Sequence, residues 1–218
     1  MLSRKSSLLT NALAMCCLFL LSTPASAALI TLYIDGYNDC AGYFGQGFDS
    51  CSIFAADAPE IEISSVIAKF GDGNETNASK YPSIDGSEFS FTPGTSGNWS
   101  YTPEGDDPGV RFWVAKAGNG FNLFWEVSDE DFNATDVCNM GTNANTYACM
   151  NAALTVTSGY WITPLNRGGQ RADLSHLTFY NGEGDVPPQE VPETNSWLLL
   201  GVALLSLTVY SRRPCTTD

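Results

Sequence analysis

Val110-Arg111-Phe112-Trp113-Val114-Ala115-Lys116-Ala117-Gly118-Asn119-Gly120-Phe121-Asn122-Leu123-Phe124-Trp125-Glu126-Val127 is the stretch that decides the fold. On both sides of Gly118-Asn119-Gly120 the side chains sort at every second position, the period of a strand and not of a helix. Two such runs joined through Asn-Gly read as a β-hairpin, because a type I′ turn needs positive φ at both central residues. With Asn119 and Gly120 as that pair, Val114 is expected opposite Trp125 and Phe112 opposite Val127. One face then carries Phe112, Val114, Leu123, Trp125 and Val127 and belongs to a core. The other carries Arg111, Trp113, Ala115, Phe124 and Glu126 and is mixed.

The same reading extends in both directions. Leu29–Ile34 and Ile61–Phe70 are β-branched runs, and Phe89, Phe91, Trp99 and Tyr101 alternate around Pro93-Gly94-Thr95-Ser96-Gly97 as a second hairpin. Ala152–Thr157, Tyr160–Thr163 and Ser175–Tyr180 add three further strand candidates. Short strands separated by Gly, Pro, Asn and Ser clusters imply an all-β fold, an antiparallel β-sandwich or jelly-roll-like domain over residues 28–181. From Gly182 the chain turns polar and Pro-rich and is expected to be a stalk.

The ends of the chain carry a different kind of information. Arg4 and Lys5, the apolar Leu8–Leu21 and the small-x-small site Ala25-Ser26-Ala27 form a secretory signal peptide over residues 1–27. Such a leader implies signal peptidase as a partner and a mature start at Ala28. At the other end, the run Trp197–Tyr210 is followed by Ser211-Arg212-Arg213 and a short polar tail. As a helix it spans about 21 Å, short against a bilayer core of about 30 Å. A Trp at one edge, a Tyr and two Arg at the other, and a stalk in front favour a single transmembrane helix over 197–211. Arg212 and Arg213 would lie in a cytoplasmic tail, 212–218, with the β-domain outside.

Val191-Pro192-Glu193, the hydrophobic run that follows almost at once, and Arg212-Arg213 together resemble the PEP-CTERM sorting signal of exported bacterial proteins. The match departs at Thr194, where that family has a second proline. The resemblance implies an exosortase-type sorting enzyme as partner. It also implies transient anchoring in the inner membrane, then release to the cell surface or an extracellular polysaccharide matrix. Lys116–Leu123 and Leu174–Tyr180 are similar to stretches of the β-rich cargo domains that accompany such signals.

Charge and cysteine usage fit an exported domain. The whole chain carries a net charge of −14, and every acid but Asp218 lies between the two ends, while four of the ten Lys and Arg lie in them. Such a surface repels nucleic acid, so no nucleic-acid partner is expected. Of the seven cysteines, Cys40, Cys51, Cys138 and Cys149 remain in the domain. Equal spacing in an exported context favours disulfides Cys40–Cys51 and Cys138–Cys149, although four cysteines allow three pairings. A zinc site competes weakly, because no C-x-x-C pair exists and the one histidine, His176, is remote in sequence.

Catalytic chemistry finds little support. Ser175 and His176 are adjacent on a strand candidate and point to opposite faces, so they cannot act as a nucleophile–base pair there. There is no G-x-S-x-G elbow, and His176 reads as hydrogen-bonded at a sheet edge. No enzyme is expected. Asp129, Asp131, Asn133 and Asp136 place oxygen ligands at nearly alternating positions, a candidate Ca2+ loop, but the Gly and terminal Glu of an EF-hand are missing, which favours a solvated acidic turn. Arg111, Trp113, Phe124 and Glu126 form a candidate sugar platform on the mixed hairpin face, although such rings more often fill the second layer of a sandwich. The expectation is therefore a non-catalytic, disulfide-bonded surface or extracellular-matrix protein. A calcium-dependent, lectin-like carbohydrate-binding module is the alternative.

Overall fold

The computed structural model describes residues 26–71 and 73–181. Apart from Ser26 and Ala27, the expected leader lies outside the described residues, as do the stalk, sorting motif, membrane helix and tail. Among the described residues no helix is long and apolar enough to cross a membrane. Ten strands run as β1 (Ala27–Asp35), β2 (Ser52–Ile53), β3 (Ser64–Gly71), β4 (Glu75–Thr76), β5 (Phe89–Phe91), β6 (Ser96–Tyr101), β7 (Val110–Ala117), β8 (Gly120–Ser128), β9 (Ser158–Ile162) and β10 (His176–Asn181). Only short helices interrupt them, at Asp129–Asn133 and Tyr147–Asn151, with single 3-10 turns elsewhere. The domain is all-β.

A large antiparallel sheet has the order β1-β8-β7-β10-β3-β2, with β4 pairing β3 at its side; a three-stranded sheet has the order β5-β6-β9. The β7–β8 hairpin sits at the centre of the large sheet, as its apolar sequence demands. Its register differs from expectation by two residues. Val114 faces Leu123 and Trp113 faces Phe124, with Ala117 opposite Gly120. The turn is therefore Gly118-Asn119, with φ +57° at Gly118 and no positive φ at Asn119. Those φ values suit a type II′ turn, in which Gly takes the first central position. A slip of two keeps every side chain on its own face, so the two-face division survives.

The division does not separate core from solvent. Phe112, Val114, Phe121, Leu123, Trp125 and Val127 join one buried cluster, beneath the disulfide loops and the helix Tyr147–Asn151. Val110, Trp113, Ala115 and Phe124 join a second, roofed by Phe89, Trp99, Tyr101 and Trp161 of the small sheet. The hairpin is thus the middle layer of the domain, and all eight residues of β7 are buried. Strands buried on both faces lose the polar–apolar alternation that a one-sided sheet shows.

Three other expectations need correction. Ile61 is 42% exposed and precedes β3, which begins only at Ser64. Ala152–Thr157 is no strand; only Val156 bridges, to Val110. Its neighbouring carbonyls are otherwise engaged, since Arg111 Nε donates to Ala153 O at 3.0 Å and Nη2 to Asn151 O. His176 is not at a sheet edge either, because β10 lies between β7 and β3. The Phe89–Tyr101 hairpin is as expected, pairing Phe89 with Tyr101 and Phe91 with Trp99.

Candidate functional site

The two expected disulfides are present, Cys40–Cys51 and Cys138–Cys149. Each closes a loop over the same cluster of the large sheet, and all four cysteines are buried in it. The first loop is also pinned by a polar tie that the sequence did not announce. Asp39 is fully buried, and its Oδ1 lies 2.9 Å from His176 Nε2 while its Oδ2 accepts from Thr178 Oγ1 at 2.5 Å. Tyr180 Oη lies 3.3 Å from Cys51 Sγ. His176, Thr178 and Tyr180 alternate along β10, so one face holds the loop while Leu177 and Phe179 face the second cluster.

Burial raises the Asp39 carboxyl, but the hydrogen bonds and charge of His176, with those from Thr178 and the Cys40 backbone, outweigh it and leave it below its ordinary value. The ionised carboxylate only accepts, so His176 Nε2 donates to it. This is a buried carboxylate taking charge-assisted hydrogen bonds from two side chains and from the Cys40 backbone. It is not arranged as a nucleophilic triad, because Thr178 donates to Asp39 and not to the imidazole. Its evident work is to hold the Asp39–Cys51 loop on the sheet.

The candidate sugar platform is not a surface. Trp113 and Phe124 are fully buried, stacked on each other at 5.8 Å between centroids, with Trp99 edge-on to Trp113 at 5.2 Å. Trp113 Nε1 donates to Tyr160 O at 2.9 Å, locking the small sheet onto the large one. Arg111 is buried and caps the carbonyl end of the helix Tyr147–Asn151, while Glu126 is half-buried with its carboxyl raised by that burial. These four residues cement layers together and present no stacking face.

The candidate calcium loop is a helical turn. Ser128 Oγ accepts from Asp131 N at 3.1 Å and donates to Asp131 Oδ2 at 2.7 Å, capping the helix Asp129–Asn133. Residues two apart on a helix point to different sides, so Asp129 and Asp131 diverge where a loop would let them converge. Asn133 Nδ2 donates to Asp129 O, and Asp136 lies beyond the helix. Among the described residues no group of three or more His, Cys, Asp or Glu is placed to hold a metal ion. The sequence did carry a signal for this, since Ser128-x-x-Asp131 is a capping pattern.

A shallow cleft of about 260 Å³ opens at the tip of the β7–β8 hairpin. Tyr33, Asp35, Asn119, Leu165, Asn166 and Arg167 line it. Tyr33 is 48% exposed and donates to Asp35 Oδ1 at 3.0 Å. Its ring lies against Gly120, where a Cβ would come within 2.8 Å of Cε2. The opposite wall is fixed by Asn166, whose Oδ1 accepts from Gly168 N and Gln170 N. Arg167 has no ion-pair or hydrogen-bond partner among the described residues.

What fold and site define together is a disulfide-braced antiparallel β-domain with a buried polar tie and an open polar cleft. No family model, no curated protein and no solved structure matches the chain.

Proposed function

We propose that this chain is a non-catalytic exported protein of the cell surface or extracellular matrix, processed at a C-terminal signal of PEP-CTERM type. The supporting observation is the pair of disulfides bracing the β-domain, as suits an oxidising compartment, between a leader and a sorting cassette. On this reading signal peptidase removes residues 1–27, and the helix 197–211 holds the chain in the inner membrane. An exosortase-type enzyme then acts near Val191-Pro192-Glu193, and the cargo, read as a jelly-roll-like β-sandwich, passes to the surface. β1 begins at Ala27, which pairs with Ser128, so cleavage before Ala28 removes one rung at the end of that strand. The test is fractionation of the full chain beside a chain ending at Glu190. The shortened chain is expected in the soluble exported fraction and the full chain at the membrane until processed. Persistent membrane association of the shortened chain refutes the anchor.

A carbohydrate-binding role has one observation in its favour, the cleft. A half-exposed tyrosine beside a carboxylate, amides and a guanidinium is suited to hydrogen-bonding polyols on a shallow surface. Retention on an acidic polysaccharide column that disappears in Tyr33→Ala and Arg167→Ala supports it. Flow-through of the parent chain removes it.

A further inference from the structure

The large sheet ends very differently on its two sides. At one side lies β2, two residues long; at the other lies β1, nine residues that pair only with β8. Among the described residues nothing occupies the outer edge of β1, so its outward backbone N–H and C=O groups have no ladder partner. That edge is about 30 Å long. Exposed edges in monomeric proteins are commonly blunted by lysine, proline, a bulge or brevity. β1 reads Ala-Ala-Leu-Ile-Thr-Leu-Tyr-Ile-Asp, without lysine, proline or bulge, and its only charge is the terminal Asp35. Ile30 and Ile34 are buried, while Leu29 and Tyr33 on the other face are 38% and 48% exposed.

We infer that the β1 edge is an interface between two copies of this chain, paired β1 to β1, antiparallel, with Thr31 opposite Thr31. A two-fold axis at Thr31 pairs residues 28–34 of the two strands, all of which remain after the proposed cleavage before Ala28, and sets Leu29 of each copy against Tyr33 of the other, giving two aromatic–aliphatic cross-strand pairs. About eight backbone hydrogen bonds form across the axis, joining two seven-stranded sheets into one.

Cysteine substitution reads this register directly. Residues directly opposite in an antiparallel pair have Cα atoms about 4.5–5.5 Å apart, within the span of a disulfide. In the full chain, Thr31→Cys is expected to give a disulfide-linked dimer on a non-reducing gel several-fold above the parent background set by Cys16, Cys17 and Cys215. Leu29→Cys or Tyr33→Cys alone should stay at that background, because each lies four residues out of register with its own copy, and a mixture of the two should cross-link. Sedimentation of the unsubstituted chain in density-matched detergent should give a dimer mass, and Thr31→Lys a monomer mass with an unchanged β-sheet circular dichroism spectrum. A monomeric parent, Thr31→Cys at background, or Leu29→Cys cross-linking as strongly alone overturns the inference.

Discussion

Replacing Asp39 with alanine is expected to be among the most destabilising single changes in the domain. The carboxylate is fully buried and takes hydrogen bonds from His176 at 2.9 Å and Thr178 at 2.5 Å. Hydrogen bonds to a charged group contribute about 1.5–3 kcal/mol each, so the two side-chain bonds to the carboxylate together contribute about 3–6 kcal/mol, taken as about 4 kcal/mol. At about 2–4 °C per kcal/mol for a domain of this size, the melting temperature should fall by about 8–16 °C. The sign of the pH dependence follows from the depressed carboxyl. Its contribution is fully present above the unfolded carboxyl pKa, near 3.9, and is lost as pH falls through the lower folded value. Thermal melts by circular dichroism at pH 7, and again in steps from pH 5 to pH 2.5, measure both effects. Asp39→Asn keeps the shape without the charge, so it should show a smaller acid-induced fall than the parent. A drop of under about 3 °C for Asp39→Ala, or an acid slope in Asp39→Asn equal to the parent's, refutes the reasoning.

Trp113→Ala should cost about 3–5 kcal/mol, because the indole fills the space between the two sheets; loss of the near-ultraviolet dichroism of the Trp99–Trp113 pair would register it. Removing Cys40 and Cys51 together should lower stability by about 2–3 kcal/mol through the freed loop, measured in urea against the parent; an unchanged midpoint contradicts the bracing role. Gly159→Ala drives a methyl to within 2.8 Å of Trp99 Nε1 and 2.9 Å of Trp113 Cζ2, so it should destabilise by about 1–3 kcal/mol; a neutral melt would mean the tryptophan pair is looser than described.

Much of the fold was legible because strand periodicity and turn residues are local signals. The β7–β8 and β5–β6 hairpins and both disulfides belong to that category. The hairpin register was not legible, because Gly118-Asn119-Gly120 offers two glycine-containing turns and the sequence does not choose between them. The mixed face was open to two readings, a sugar platform or a second packed layer, for a different reason. Whether Trp113 and Phe124 face water depends on whether β5, β6 and β9 fold back over them, a contact between sheets that no local pattern specifies. Asp39 was invisible on the same ground, since its partners lie more than 130 residues away and no spacing links them. The acidic run after Ser128 also admitted two readings, a ligand loop or a solvated turn. A serine three residues before an aspartate is a helix-start signal, and it competed locally with the ligand reading.

The central claim is that an oxidised β-domain reaches the exterior after losing both ends of the chain. Intact mass and non-reducing peptide mapping of the protein recovered outside the cell test it in one measurement. The account predicts a chain beginning at Ala28, lacking the segment from the sorting motif onward, with Cys40 linked to Cys51 and Cys138 to Cys149. Recovery of a full-length chain with Met1 and Asp218 intact and all four of those thiols free would contradict it.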